Sequence, residues 1–204
     1  MLAKVTAAWR WGGAGRGAAL LAFGALGLGL AFGAMGMRAL TAAEREGLAQ
    51  FLLQFWGNPG LVLHAAAPAA FRRALAANLK VEGLLYLLGI SVAGIPLVPV
   101  VLFFRGFVAG FALAAVATAF GPRGPAAVLT LLVPGSLLLL PAWWWTAGQA
   151  LGLSWRLVHR PGSGGWGREL ARFTALAAVM AGVVTLGTAV QCFLSPLAAH
   201  WLGL

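Results

Sequence analysis

LKVEGLLYLLGISVAGIPLVPVVLFFRGFVAGF, from Leu79 to Phe111, is apolar for almost its whole length and long enough to cross a bilayer. Two prolines (Pro96, Pro99) and two glycines (Gly89, Gly94) interrupt it, and one arginine, Arg105, sits between aromatic flanks. A simple anchor needs none of these breaks. Helices that bend, pack and turn within a membrane do. Read as one helix, Val81–Phe104 spans roughly 36 Å at ~1.5 Å per residue. Each proline removes a backbone donor, so the second half is expected to kink. Gly106–Phe120 then makes a shorter piece of roughly 22 Å by the same rise, a span or a re-entrant element. Arg105 would cost about 2.5–3.5 kcal/mol at the centre of a membrane helix. The sequence reading therefore places it at a turn.

The rest of the chain has the same character. Of 204 residues 61% are hydrophobic and only 9% charged, where soluble domains run near a quarter charged. Continuous uncharged runs point to an all-α integral membrane protein and away from a β-barrel, whose strands alternate. The chain reads as a single polytopic domain over residues 1–204. About five transmembrane helices are expected, near 17–37, 81–104, 106–120, 126–155 and 173–193. An amphipathic interfacial helix at 41–56 follows the first of them. No room remains for a soluble catalytic domain.

Within the first run, Gly29 and Gly33 form a GxxxG pair suited to close helix packing. Thr41-Ala42-Ala43-Glu44 is a capping box that opens the next helix. There Leu48, Phe51, Leu52, Phe55 and Trp56 recur at helical spacing as an apolar stripe. Such a stripe suits the membrane interface, or a docking surface for a partner made by Phe51, Leu52, Phe55 and Trp56. Gly57-Asn58-Pro59-Gly60 stops the helix, and Gly121-Pro122-Arg123-Gly124-Pro125 marks a tight turn. Trp143, Trp144 and Trp145 are consecutive, so they spread around a helix; an aromatic belt near one interface is expected.

Fourteen basic residues face four acids, all glutamate. Because the cations flank apolar runs, they read as topology signals and lipid-headgroup contacts and not as a nucleic-acid surface. Five spans with the N-terminus inside put Lys4, Arg10, Arg16, Arg105, Arg156, Arg160, Arg168 and Arg172 on the inner side. Arg38, Arg45, Arg72, Arg73, Lys80 and Arg123 then lie outside. The lone Cys192 allows no internal disulfide and reads as a small hydrophobe.

No catalytic constellation emerges. His64, His159 and His200 are far apart and form no H-E-x-x-H helix. Ser91, Ser136 and Ser154 have no G-x-S-x-G elbow, and no Walker motif is present. The sequence is therefore read as non-enzymatic, without catalytic residues, metal or cofactor. Glu82 reads as a proton- or ion-coupling group or, more plainly, as a local pair with Lys80 or a group at the membrane interface.

Three segments carry a resemblance: FGAMGMRALTAAEREGLAQFLLQFWG (32–57), LGISVAGIPLVPVVLFFRGFVAGF (88–111) and VPGSLLLLPAWW (133–144). Together they resemble the stage II sporulation protein M family of bacterial membrane proteins. The family pattern falls here on Gly89, Ser91, Gly94, Pro96, Arg105, Gly106, Gly110, Pro134 and Pro141, as structural positions. The resemblance implies a multi-pass plasma-membrane protein of the septal or engulfing membrane. Its implied role is a scaffold of sporulation engulfment that localises peptidoglycan-degrading partners, stage II sporulation proteins D and P. The alternative reading from broken spans is a permease subunit served by a separate ATPase.

Overall fold

The structure is a computed structural model, and it describes residues 13–56, 67–159 and 166–194. The expected stop at 57–60, the cations Lys4, Arg10 and Arg160, the loop 161–165, His64, His200 and the tail from Ser195 lie outside the described residues. The described residues form seven α-helices: α1 Gly13–Ala39, α2 Ala42–Trp56, α3 Ala67–Gly89, α4 Gly94–Ala119, α5 Gly124–Leu131, α6 Val133–His159 and α7 Trp166–Ala189. A 3-10 turn at Gly121–Arg123 precedes α5, and a π turn at Val190–Leu194 follows α7.

Leu79–Phe111 is two helices, and the break falls at Ile90–Ala93 and not at Arg105. Local hydrogen bonding turns the chain there. The Ser91 amide donates back to the Leu88 carbonyl (3.1 Å), and the Gly94 amide donates to the Ser91 carbonyl (3.1 Å). The Ser91 hydroxyl takes the Ala93 amide at 3.2 Å, an ST turn that starts α4. Both bordering glycines are crowded. A Cβ on Gly94 would drive into the Leu88 carbonyl and the Ser154 hydroxyl, and one on Gly89 would come within 2.7 Å of the Phe173 ring. Hydropathy could not reveal this hairpin, because its turn is as apolar as its arms. Pro96 falls in the first turn of α4, where a missing amide costs little. Only Pro99 stands inside the helix. Arg105, in turn, lies mid-helix in one continuous α4.

Helix directions follow from the cross-contacts. Gly29 meets Phe103 and Gly33 meets Phe107, while Gly106 meets Leu26 and Gly110 meets Leu30, so α1 and α4 run parallel. The pairs Glu82–Thr146 and Leu88–Ser154 make α3 and α6 parallel. Tyr86–Thr174 and Asn78–Thr188 make α3 and α7 antiparallel. The five long helices α1, α3, α4, α6 and α7 therefore alternate in direction along the chain. Helix α6 is their hub, buried on nearly every face from Ala142 to Ser154. Leu85, Val98, Leu102, Ala147, Leu153 and Val184 pack in the shared core.

Among the described residues three helical segments are long and apolar enough to cross a membrane: Arg16–Ala39, Gly94–Ala119 and Trp166–Leu194. A fourth arises if the 3-10 turn and α5 are taken with α6, which meets them at a 53° bend. The expected count of about five exceeds this. One reason is α3, which carries Arg72, Arg73, Lys80 and Glu82 and is too polar to qualify by composition. The three tryptophans also differ from expectation. Trp143 and Trp145 are buried inside the bundle, and Trp144 donates its indole N–H to the Ala19 carbonyl at 2.9 Å. They pack helices together and form no outward belt.

Candidate functional site

Polar groups gather halfway along the bundle. Helix register places Arg105 level with Leu26–Gly29, the midpoint of α1. Its Nη2 donates to the Ala77 carbonyl of α3 at 3.1 Å, and its guanidinium carbon lies 4.5 Å from the centroid of the Trp143 ring on α6. One cation thus ties three helices through a main-chain acceptor and a ring face. Glu82, on the next turn of α3, is 3% exposed. Its Oε1 accepts from the Thr146 hydroxyl at 2.7 Å, and its Oε2 has no hydrogen-bond partner among the described residues. The indole N–H of Trp143 is likewise buried and meets no acceptor among the described residues. Asn78 completes the centre by donating to the Thr188 hydroxyl at 2.9 Å, which itself donates to the Val184 carbonyl at 2.7 Å.

Among the described residues the one ion pair is Arg156–Glu169, 2.6 Å, at the α6–α7 end. Glu82 therefore pairs with neither Lys80 nor Arg105. The local Lys80 pair expected from sequence gives way to a hydroxyl sixty-four positions away. Thr146 was not legible as a site residue, since a lone threonine in an apolar run has no signature. Ser154 is a similar case. Its hydroxyl lies 3.1 Å from the Leu88 carbonyl and 3.2 Å from that of Gly89, so it caps the C-terminal end of α3.

The residues singled out in the sequence fall in four places. Gly89, Ser91 and Gly94 build the α3–α4 turn against Ser154. Gly106 and Gly110 interlock with Gly29 and Gly33, where any added Cβ would enter the facing main chain. Arg105 occupies the centre. Pro134 opens α6 and Pro141 stands within it.

The possible partner surface is separate. Helix α2 begins with the expected capping box: the Thr41 amide and hydroxyl both donate to Glu44 Oε2 at 2.8 Å. Those two bonds hold the Glu44 carboxyl below its usual range, the backbone bond contributing most. Arg45 reaches back with Nε to the Leu40 carbonyl (3.0 Å) and Nη2 to the Arg38 carbonyl (2.7 Å). It thereby satisfies acceptors left by the end of α1. The stripe then divides. Leu48 and Leu52 are half-buried, and Leu52 packs on the cluster of Val116, Ala127 and Leu131 from α4 and α5. Phe51 is 63% exposed and Leu53 is 44% exposed. Phe55 and Trp56 end the helix, and their side chains lie outside the described residues.

The family model described as stage II sporulation protein M matches residues 19–196, most of the chain. The chain belongs to the stage II sporulation protein M family. No curated protein and no solved structure matches it. As a stage II sporulation protein M family member it is a sporulation-related membrane protein. The matched stretch contains both the polar centre and α2.

Proposed function

We propose that this chain is a non-enzymatic scaffold of the engulfment machinery in the septal or engulfing membrane. In this reading its bundle is a rigid seat, and α2 displays a surface that holds peptidoglycan-degrading partners, stage II sporulation proteins D and P. The observation that carries the reading is the placement of α2. Arg45 and the capping box fix its direction, Leu52 packs one side onto α4 and α5, and Phe51, Leu53 and Gln54 face outward. The polar groups of the interior support the same reading, because Thr146, Ser154, Asn78 and Thr188 bond helix to helix.

The test is recovery of partners from sporulating cells with the tagged protein in mild detergent. Wild type should bring down a septal peptidoglycan hydrolase. Phe51→Ser combined with Leu53→Ser should lower that recovery at least tenfold while membrane insertion is unchanged. Equal recovery from wild type and the double variant would remove α2 as the docking surface. Recovery of an ATPase in place of a hydrolase would remove the scaffold reading itself.

A further inference from the structure

Among the described residues, one buried acid, Glu82, and one half-buried guanidinium, that of Arg105, lie midway along the bundle without touching, and each is only partly served. Glu82 Oε2 is buried and meets no donor among the described residues. Arg105 spends one N–H on Ala77 and its flat face on Trp143, and its other donors meet no acceptor among the described residues. Their neighbours on α6 are adjacent: Trp143 under Arg105 and Thr146 bonded to Glu82 are three residues apart. Side chains at that spacing have Cβ atoms about 5–6 Å from each other on one helix face. The reach of an arginine covers such a gap by rotation about its own side-chain bonds.

The seat that Arg105 occupies is also a weak one. Ala77 lies inside α3, where its carbonyl belongs to the helical ladder and can accept only a second, shared bond. An isolated carboxylate and guanidinium in a low-dielectric interior attract strongly even when separated. Ionisable groups within membrane bundles usually pair with one another.

Arg105 stands on α4, which interlocked glycines hold against α1. Both of its seats lie across from it on α3 and α6, helices joined to each other through Glu82–Thr146, while Trp144 ties α6 to α1 through the Ala19 carbonyl. The frame is therefore braced on both sides, and the guanidinium is the part free to change partners.

We propose that Glu82 and Arg105 are one charge couple with two arrangements, and that Glu82 Oε2 is a second seat for the guanidinium. In the arrangement seen here Arg105 rests on Ala77 and Trp143. In the other it donates to Glu82 Oε2 by rotation about its own side-chain bonds, with the helices in place. This inference rests on the bundle alone and stands or falls independently of the scaffold reading.

Melting temperatures of the full chain in detergent test it through two cycles of variants. In the first, Glu82→Gln and Arg105→Gln each lower the melting temperature, and the double variant melts no lower than the weaker single one. Losses that simply add would overturn the couple. In the second, Trp143→Leu removes the ring seat and commits Arg105 to Glu82, so Glu82→Gln costs more in that background than in wild type. An unchanged or smaller loss there would overturn the second seat. If Arg105→Gln does not fold, Arg105→Lys replaces it. Its ammonium still couples to Glu82 but gives up the flat stack on Trp143, so the Glu82→Gln loss must equal or exceed that in wild type; a smaller loss counts against the couple.

Discussion

Four glycines set how close α1 and α4 come, and each is legible as a physical requirement. A methyl group on Gly29, Gly33, Gly106 or Gly110 would occupy the position of a carbonyl oxygen on the facing helix, and backbone cannot yield as a side chain can. Gly27, two positions before Gly29, faces open space. Gly33→Ala or Gly106→Ala should therefore destabilise by about 1–3 kcal/mol or more through overpacking. Gly27→Ala should be neutral or gain up to ~1 kcal/mol from helix propensity. Thermal unfolding in detergent compares the three directly. A second residue-scale expectation concerns Thr146. Its hydroxyl is the one hydrogen-bond donor to the buried carboxyl of Glu82 among the described residues. Thr146→Val keeps the shape and removes that donor, and should cost roughly 1–3 kcal/mol. Ser91→Cys should be mild by comparison, because its turn has main-chain bonds of its own.

At the level of elements, α2 is the piece whose hold is local and titratable. Glu44 has its folded value lowered by the Thr41 bonds. The stabilisation is then fully present above the ordinary carboxylate value of 4.5 and is lost as pH falls through the lower folded value. Hydrogen exchange of the first α2 amides should accelerate over that acid window in wild type, and Glu44→Gln should abolish the pH dependence. Arg45→Ala should release the Leu40 and Arg38 carbonyls and loosen the α1–α2 corner at every pH. This element was the most readable in the sequence, since a capping box and a stripe of helical period are contiguous signals. The α3–α4 hairpin was the least readable. Hydropathy merged its two arms into one span, and the charge of Arg105 marked the wrong place for a break. A membrane-depth arginine is tolerated there because a carbonyl from α3 and a ring from α6 come to meet it, and neither partner is visible from its neighbours in the chain. For the same reason the GxxxG of α1 was evident while the helix it packs against was not.

Across the whole molecule, alternating helix directions assign each turn to one end of the bundle. Ser91 and Glu169 lie at one end, with the start of α1, and Glu46 and Arg123 lie at the other. Single cysteines at these positions, in a Cys192→Ser background, should react with a membrane-impermeant thiol reagent in two groups. Ser91→Cys and Glu169→Cys are labelled from one side of sealed vesicles, and Glu46→Cys and Arg123→Cys from the opposite side. A mixed pattern would contradict the alternation. The parallel seam of α1 and α4 carries one more implication, for how the protein is made. Parallel neighbours cannot be consecutive helices; α3 must be laid down between them. The ribosome therefore delivers α1 well before its mate, and at ~5–20 residues per second the interval to Phe111 is on the order of ten seconds. Throughout that time a glycine-lined face of the nascent chain lies open, so insertion chaperones and membrane proteases have their opportunity before α4 arrives, and a chain cut short of Phe111 should be their preferred substrate.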